Sequence, residues 1–253
     1  MAYMEMEIAS TALGKSTHVS LILPQPDTEI DDGIAESVRE KKKFKCLYLL
    51  HGLSDDNTAW MYKTSIERYC ARYGIAVVMP DAAKSFYTNM KYGDRYYDYI
   101  AKELPQVIRA MFNISEEPED NFIAGLSMGG YGALKIALRE EGKYCAAAGL
   151  SSVADINEFM SDCKDLSATV FGDVEKVPDC EDLFYLAEHC KKRPRIYMGA
   201  GTDDDLHAAS VRLKDKFAEL GYDITFRDSD GGHNWWFWDE YIEYVMEWMF
   251  RRR

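Results

Sequence analysis

The stretch NFIAGLSMGGYGAL, residues 121–134, changes its hydrophobic pattern at Ser127. The residues before Ser127 form a short apolar run with β-branched and aromatic side chains, which favours a buried strand. From Met128 onward the apolar residues recur at helical spacing. A strand that turns into a helix within about two residues needs small neighbours, because the two elements pass close together. Gly125 and Gly129 meet that need, so the stretch predicts a strained corner that raises the serine hydroxyl above a sheet.

The residues from Gly125 to Gly129 have the pattern G-x-S-x-G. At a strand-to-helix turn of the α/β-hydrolases, this pattern holds a nucleophilic serine. The helix that follows begins beside the serine, and its N-terminus favours negative charge at that place. The alternative is a glycine-rich turn with an ordinary serine. A nucleophile needs a base, and the base needs an acid that orients it, so the rest of the chain has to supply both.

His233 is the candidate base for Ser127. It lies in SDGGHNWW, directly after the last predicted strand. Two glycines give this loop the freedom to bring the ring over the carboxyl edge of the sheet. Histidine removes a proton best near neutral pH. Two of the other histidines are interpreted as structural or exposed, and they are His18 and His189.

Three consecutive aspartates, Asp203 to Asp205, follow the strand that precedes the histidine loop. An acid at this place would fix the tautomer of His233 and stabilise its cation. The order serine, aspartate, histidine along the chain is that of the α/β-hydrolases. Spacing alone does not choose among the three carboxylates. Those that are not catalytic would cap the helix that is expected to start at Leu206.

Two backbone amides are candidates for an oxyanion hole. One is the amide of Met128, directly after the nucleophile, and the second is expected in the loop after the third strand. That strand ends in YLLHGL, so the amide of Leu53 is the second candidate. His51 in the same turn is interpreted as a residue that orients the loop rather than as a second base.

The remaining pattern predicts an α/β protein with the α/β-hydrolase fold, in which helices cover both faces of a mainly parallel central sheet. Two opening strands of alternating polarity are expected to pair antiparallel. Apolar strands are expected at 44–52, 74–80, 121–126, 145–152, 194–201 and 223–229. Helices are expected at 206–220, ended by Gly221, and at 94–112, kinked at Pro105.

No repeat and no linker divides the sequence, so we expect one α/β-hydrolase domain over residues 1–253. Residues 153–193 lie between two predicted strands. They are interpreted either as a small cap insertion over the site or as a surface excursion. Residues 27–43 are highly charged and are predicted to be a solvated excursion.

The formal net charge of −13 makes a nucleic acid or an anionic membrane surface an unexpected partner. No apolar run reaches the length of a membrane span, and the N-terminus lacks the basic and apolar regions of a signal peptide. A cytoplasmic location is therefore expected. The six cysteines form neither a C-x-x-C pair nor a zinc-like spacing with histidine, so we expect reduced cysteines and no structural metal.

The chain resembles the esterase D-like α/β-hydrolases, which include bacterial tributyrin esterases, S-formylglutathione hydrolases and carbohydrate esterase family 1 enzymes. The similarity to the tributyrin esterase branch covers most of the chain. It rests on five blocks in a specific order: LYLLHGLSDDNTAW, YGDRYYDYIAKELPQVI, FIAGLSMGGYGALKIAL, GTDDDL and GGHNWWFW. The resemblance implies Asp204 as the acid, with Asp203 as the alternative, and Asp205 stands where relatives usually have a bulky aromatic residue.

The resemblance also implies hydrolysis of a carboxylic ester through an acyl-serine intermediate, with Ser127, Asp204 and His233 as catalytic residues and no cofactor. The expected substrates are small-molecule or carbohydrate-linked esters of short acyl groups, acetyl or butyryl, or feruloyl esters. Aromatic clusters are expected at the cleft, with these candidate substrate-binding residues: Trp60, Tyr87, Tyr92 and Trp236. One alternative is a thioesterase like S-formylglutathione hydrolase, or an acyltransferase. Another is a non-catalytic binding module, and homo-oligomerisation stays open.

Overall fold

A sheet of eight strands forms the centre of the protein, as the computed structural model describes it for residues 1–25 and 43–250. The strands are β1 (Ala2–Ser10), β2 (Lys15–Leu23), β3 (Cys46–Leu50), β4 (Ala76–Pro80), β5 (Asn121–Leu126), β6 (Ala146–Leu150), β7 (Arg195–Gly201) and β8 (Ile224–Ser229). Their order across the sheet is β1-β2-β4-β3-β5-β6-β7-β8. The pairs β1 with β2 and β2 with β4 are antiparallel, and every other pair is parallel. The predicted α/β class with a mainly parallel sheet is confirmed.

Helices connect the strands and cover both faces of the sheet. The α-helices of the described residues are α1 (Ala59–Lys63), α2 (Ile66–Ala71), α3 (Tyr96–Asp98), α4 (Leu104–Met111), α5 (Met128–Arg139), α6 (Ile156–Asp162), α7 (Lys164–Phe171), α8 (Leu183–His189), α9 (His207–Glu219) and α10 (Trp235–Phe250). Short 3₁₀ turns occur at Pro118–Asp120 and Asp179–Glu181. The expected end of α9 is confirmed, because Gly221 follows it with a φ of 76°.

The two faces of the sheet have separate hydrophobic cores. Along β3, Tyr48 and Leu50 pack into the core beneath α4, α5 and α9. Leu47 and Leu49 pack into the core beneath α1, α2 and α10. Alternate side chains of a strand point to opposite faces, and helices cover both faces here. Every residue of β3 is therefore buried, which explains why this strand is an unbroken apolar run in the sequence.

The helical segment expected at 94–112 has an irregular turn instead of one continuous α-helix. A π-helical turn over Tyr99–Glu103 joins α3 to α4, and the Leu104 amide donates to the carbonyl of Tyr99. Pro105 directly follows this wide turn and has no amide hydrogen to donate to the preceding turn. The irregularity predicted at Pro105 therefore takes the form of a π-helical turn on its N-terminal side.

A buried charged cluster ties residues 179–189 to α5. Lys135 is fully buried and donates to Glu181 (Nζ to Oε2 2.6 Å), to the carbonyl of Phe86 (2.9 Å) and to the hydroxyl of Thr88 (2.7 Å). Arg139 donates to the other oxygen of Glu181 at 2.8 Å. Burial lowers the pKa of Lys135, although the charge of Glu181 opposes the shift. These bonds give each buried charge a partner, so the cluster holds the segment against the helix that follows Ser127.

Two segments outside the central sheet, residues 27–43 and residues 153–193, were also the subject of predictions. The predicted excursion at 27–43 lies outside the described residues, apart from residue 43. Residues 153–193 contain α6, α7 and α8, and their role as a cap stays a prediction, as does the single domain. None of the helices in the described parts of the chain combines the length and apolar character that crossing a bilayer requires.

The parallel strands position the predicted site. Because β5, β7 and β8 run in the same direction, their carboxyl ends meet at one edge of the sheet. Ser127 directly follows β5, the aspartates follow β7, and His233 follows β8. Ligands of open α/β sheets bind at this edge. The topology thus brings three distant parts of the chain to one place.

Candidate active site

Ser127 occupies a strained corner between β5 and α5. Its φ is 54° and its ψ is −119°, a conformation that residues with a Cβ atom rarely adopt. A Cβ atom at Gly125 would lie 2.3 Å from the carbonyl oxygen of Gly129, and one at Gly129 would lie 2.4 Å from that of Leu50. The two glycines of the motif are therefore required by backbone packing. This is the reason for which the sequence analysis predicted small residues at these positions. The amide of Ser127 donates to the carbonyl of Leu150 (2.8 Å) and holds the corner against β6.

His233 lies within hydrogen-bond distance of Ser127, with 3.0 Å between Nε2 and Oγ. The loop before His233 packs closely on the end of β7, since a Cβ atom at Gly201 would lie 2.1 Å from the carbonyl oxygen of Gly231. The ring also packs edge-on against Trp238, with centroids 4.9 Å apart. The packing of the loop and the contact of the ring with Trp238 together hold the ring over the carboxyl edge of the sheet.

Asp204 is the second partner of His233. Its Oδ2 and Oδ1 atoms lie 3.0 and 3.2 Å from Nδ1 of the ring. A carboxylate accepts hydrogen bonds, so Nδ1 carries the proton and Nε2 is free to accept the proton of Ser127. The chain of contacts from Asp204 through His233 to Ser127 can therefore move a proton from the hydroxyl to the ring.

The environment of Asp204 keeps it ionised. Its side chain is fully buried, and Oδ1 accepts the amide of Leu206 at 2.9 Å. Burial raises the pKa of this carboxyl, but hydrogen bonds from His233, Ser151 and the backbone outweigh burial and hold the pKa below its ordinary value. The Ser151 hydroxyl itself accepts the indole N–H of Trp238 at 3.0 Å, which leaves its own proton for Asp204.

The three consecutive aspartates have different surroundings. Asp203 is exposed, and its amide donates to the carbonyl of Gly231 (2.9 Å). Asp205 is exposed and lines the cleft above Ser127. In the described parts of the chain, Asp204 is the one of the three that contacts His233. The geometry therefore favours Asp204 over the alternative, Asp203, as the partner of His233.

The turn after β3 presents the amide of Leu53 to the cleft. Nδ1 of His51 donates to the carbonyl of Gly52 (2.7 Å), and Nε2 accepts the amide of Ala82 (2.9 Å). Because an amide only donates, the proton of this ring is on Nδ1. Holding the Gly52 carbonyl toward His51 turns the Leu53 amide of the same trans peptide to the opposite side. Across residues 1–25 and 43–250, the amides of Leu53 and Met128 have no protein acceptor.

Tyr87 orients this turn and does not line the cleft. The side chain is fully buried, and its hydroxyl donates to the carbonyl of His51 at 2.9 Å. Its ring packs so tightly on α5 that a Cβ atom at Gly132 would lie 2.3 Å from Cδ2. The expectation that Tyr87 binds substrate is therefore corrected, since its side chain is buried beneath the turn after β3.

We expect Tyr87→Phe to lower kcat about 10-fold with little change in KM, because the carbonyl of His51 loses its donor and the turn loosens. An unsatisfied buried carbonyl also costs about 1–3 kcal/mol of stability. Steady-state kinetics and thermal unfolding of the variant measure both effects. The matched control is Tyr92→Phe, which removes a hydroxyl from a ring that is 66% exposed. Equal effects of the two changes, or a change in KM alone, would contradict this role.

A cleft of about 580 Å³ opens above the serine. Its aromatic side chains come from three residues, which are Phe159, Trp235 and Trp238. The remaining lining residues are Gly52, Leu53, Ser54, Asp55, Leu126, Ser127, Asp204, Asp205, Leu206, His233 and Asn234. The cleft is large enough for a small ester. Its floor is formed by the hydrogen-bonded side chains of Ser127, His233 and Asp204.

The other predicted substrate-binding residues also lie outside this lining. Trp60 is 1% exposed, and its indole N–H donates to the carbonyl of Leu50 (3.1 Å), so it belongs to the core. Tyr92 is exposed, and its amide donates to the carbonyl of Thr169 (3.0 Å) in α7. Trp236 is 90% exposed on the outside of α10. The expectation for Trp60 is corrected in the same way as that for Tyr87, whereas the roles of Tyr92 and Trp236 stay predictions.

The sequence pattern could have identified two of the three aromatic residues that line the cleft. Trp235 and Trp238 are three positions apart in α10, so they share a face of the helix, while Trp236 lies about 100° around it. That spacing is the signal which would have selected Trp235 and Trp238. Phe159 of α6 had no such signal, because the position of α6 over the cleft depends on tertiary packing.

Comparison with known proteins places the chain among described hydrolases. The model of the family described as "Putative esterase" matches residues 10–244. An acetyl esterase of Caldicellulosiruptor saccharolyticus is 31% identical, over 98% of each chain. The fluorophosphonate-binding serine hydrolase F of Staphylococcus aureus has a TM-score of 0.89 and 34% identity, over 99% of each chain. The S-formylglutathione hydrolase of Staphylococcus aureus has a TM-score of 0.86 and 33% identity, with the same coverage.

Proposed function

We propose a function from one established premise: this chain belongs to the putative esterase family. It has the α/β-hydrolase fold and is a carboxylic ester hydrolase. The enzymatic interpretation replaces the alternative of a non-catalytic binding module. What we propose beyond this premise is which residues carry the reaction and which esters it takes.

Ser127 is the nucleophile of this reaction, His233 the base and Asp204 the acid that orients the base. The observation that supports these roles is the unbroken hydrogen-bonded chain of the three side chains at the floor of an open cleft. Ser127 Oγ attacks the ester carbonyl while Nε2 of His233 takes its proton. His233 then protonates the departing alcohol, and in the second half of the reaction it takes a proton from water that hydrolyses the acyl-serine.

The amides of Leu53 and Met128 hold the oxyanion of the tetrahedral intermediate. Both are near Ser127 and have no acceptor within the described residues, so each has its hydrogen available for a new partner. The strained corner at Ser127 and the bonds of His51 set their directions before substrate binds. Donors that need no reorganisation stabilise developing charge most effectively.

Short-chain acyl esters, acetyl or butyryl, are the proposed substrates. The acetyl esterase relative supports this choice, as does the apolar wall formed by Phe159, Trp235 and Trp238. A thioesterase activity on S-formylglutathione is the second candidate, because a relative of similar identity bears that name. Glutathione carries two carboxylates, and the residues that line the described cleft include no lysine or arginine to bind them. The lining therefore favours the neutral esters.

The substrate class is tested by comparing kcat/KM for p-nitrophenyl acetate, butyrate and octanoate with that for a feruloyl ester and for S-formylglutathione. We expect acetate and butyrate to be hydrolysed best, with octanoate about tenfold slower or worse. A preference for S-formylglutathione would make the protein a thioesterase, and a preference for the feruloyl ester would place the specificity in an aryl acyl group. Failure with every ester would reject the proposed function.

A further inference from the structure

The charges that line the cleft have one sign. Three carboxylates, those of Asp55, Asp204 and Asp205, line it, and no cationic side chain does so within the described residues. The Asp204 carboxylate is committed to His233. The carboxylate of Asp55 lies against Gly52 and accepts a hydrogen bond from its backbone. Asp205 is exposed and has no ion pair in the part of the chain that the structure describes, so its charge acts on whatever enters the cleft.

A second groove of about 250 Å³ adjoins the cleft at Asp205. Phe159, Asp205 and Leu206 line both spaces. Further along, Asp155 and Glu158 are both paired with Arg212, at 3.5 Å for Asp155. Arg212 therefore compensates one of these two charges, and the exposed Asp162 of the same groove has no ion pair within the described residues. Asp205 stands at the junction without such compensation.

We expect the alcohol part of a bound ester to lie on the side of Asp205. The departing oxygen has to accept a proton from Nε2 of His233, so the alcohol extends over the histidine side of Ser127. Asp204 binds the opposite nitrogen of that ring, and the two residues that follow it in the sequence, Asp205 and Leu206, also line the cleft. A group attached to the alcohol thus leaves the cleft past the Asp205 carboxylate.

We propose that Asp205 determines substrate specificity by charge: it disfavours esters whose alcohol part is anionic and favours neutral or cationic ones. This inference rests on the proposed function and deepens it. A unit charge that faces a charged alcohol part across an open, partly screened cleft changes kcat/KM by about 3- to 10-fold. Because both charges face solvent, the effect falls as ionic strength rises.

The test uses three acetate esters that differ in the charge of the phenol: phenyl acetate, 4-acetoxybenzoate and 4-acetoxyphenyl-trimethylammonium. Dividing kcat/KM of each charged ester by that of phenyl acetate, and then comparing variants, cancels the intrinsic reactivity of the esters. For Asp205→Asn at low salt we expect the anionic ratio to rise about 3- to 10-fold and the cationic ratio to fall by a similar factor. High salt is expected to reduce both shifts.

Asp203→Asn is the matched control, since it removes the same charge from an exposed residue outside the cleft. Its ratios are expected to stay within about twofold of wild type, because screening weakens more distant charges. Asp205→Glu keeps the charge and is expected to keep the wild-type ratios, which guards against a merely structural effect. Equal shifts in Asp203→Asn and Asp205→Asn, or no shift in Asp205→Asn, would overturn the inference. A wild-type protein without activity on phenyl acetate would instead reject the proposed function.

Discussion

Ser127→Ala is expected to lower kcat for ester hydrolysis on the order of 10⁶-fold. Without Oγ, no acyl-enzyme forms, and His233 and the oxyanion amides retain only a weak effect on the attack by water. The fold is expected to persist. Alanine keeps the Cβ atom and thus the same strained backbone, and the lost hydrogen bond is at the open floor of a cleft. We expect the free energy of unfolding to change by less than about 1 kcal/mol.

A fluorophosphonate probe measures the same prediction independently of turnover. The probe forms a bond from Oγ to phosphorus and displaces fluoride, so wild type is expected to gain one tag on the tryptic peptide that contains Ser127. Ser127→Ala is expected to gain none. Ser161→Ala, which removes an exposed hydroxyl of α6 outside the cleft, serves as the control and is expected to label fully. A tag on another peptide, or substantial activity of Ser127→Ala, would contradict the role of Ser127.

Asp204→Asn is expected to lower kcat about 10⁴-fold. The asparagine side chain can turn its NH₂ group toward Nδ1 of His233, which moves the ring proton to Nε2. A protonated Nε2 cannot accept the proton of Ser127. Steady-state kinetics on p-nitrophenyl acetate compare this variant with Asp203→Asn and Asp205→Asn, whose side chains do not contact His233 within the described residues. A larger loss in either of those two variants would transfer the role of the acid to that residue.

The stability of Asp204→Asn gives a second, independent readout. The folded-state pKa of Asp204 is below its ordinary value, so its ionisation contributes stability that is present above the unfolded pKa. That contribution is lost as the pH falls through the folded pKa. Denaturant unfolding between neutral and acidic pH is therefore expected to show a shallower decline for Asp204→Asn than for wild type. The amide oxygen still accepts the Leu206 N–H, so the variant is expected to fold.

The sequence by itself determined the strand order along the chain and the place of the site. Strand and helix patterns are local, because side chains repeat every two residues in one and every 3.6 in the other. The same holds for part of the corner at Ser127, because Gly125 approaches the backbone of Gly129 four residues later, whereas the approach of Gly129 to Leu50 is a tertiary contact. The carboxyl ends of parallel strands share one edge, so the sequence also predicted that Ser127 and His233 would meet.

Tertiary structure alone decided which residue of a short run contacts His233 and which side chains line the cleft. Spacing in the sequence did not distinguish Asp203, Asp204 and Asp205 as the acid that orients His233. Only the family resemblance favoured Asp204. The buried direction at that turn depends on the close contact of the β8 loop with the end of β7 and on the hydroxyl of Ser151, both distant in sequence. Tyr87 was misassigned for the same reason, because its partner, the carbonyl of His51, is 36 residues away. Local sequence patterns determine the helices and strands and where they end. The direction of a single side chain in a loop depends on contacts between residues distant in sequence, which the periodicity of a short segment does not reveal.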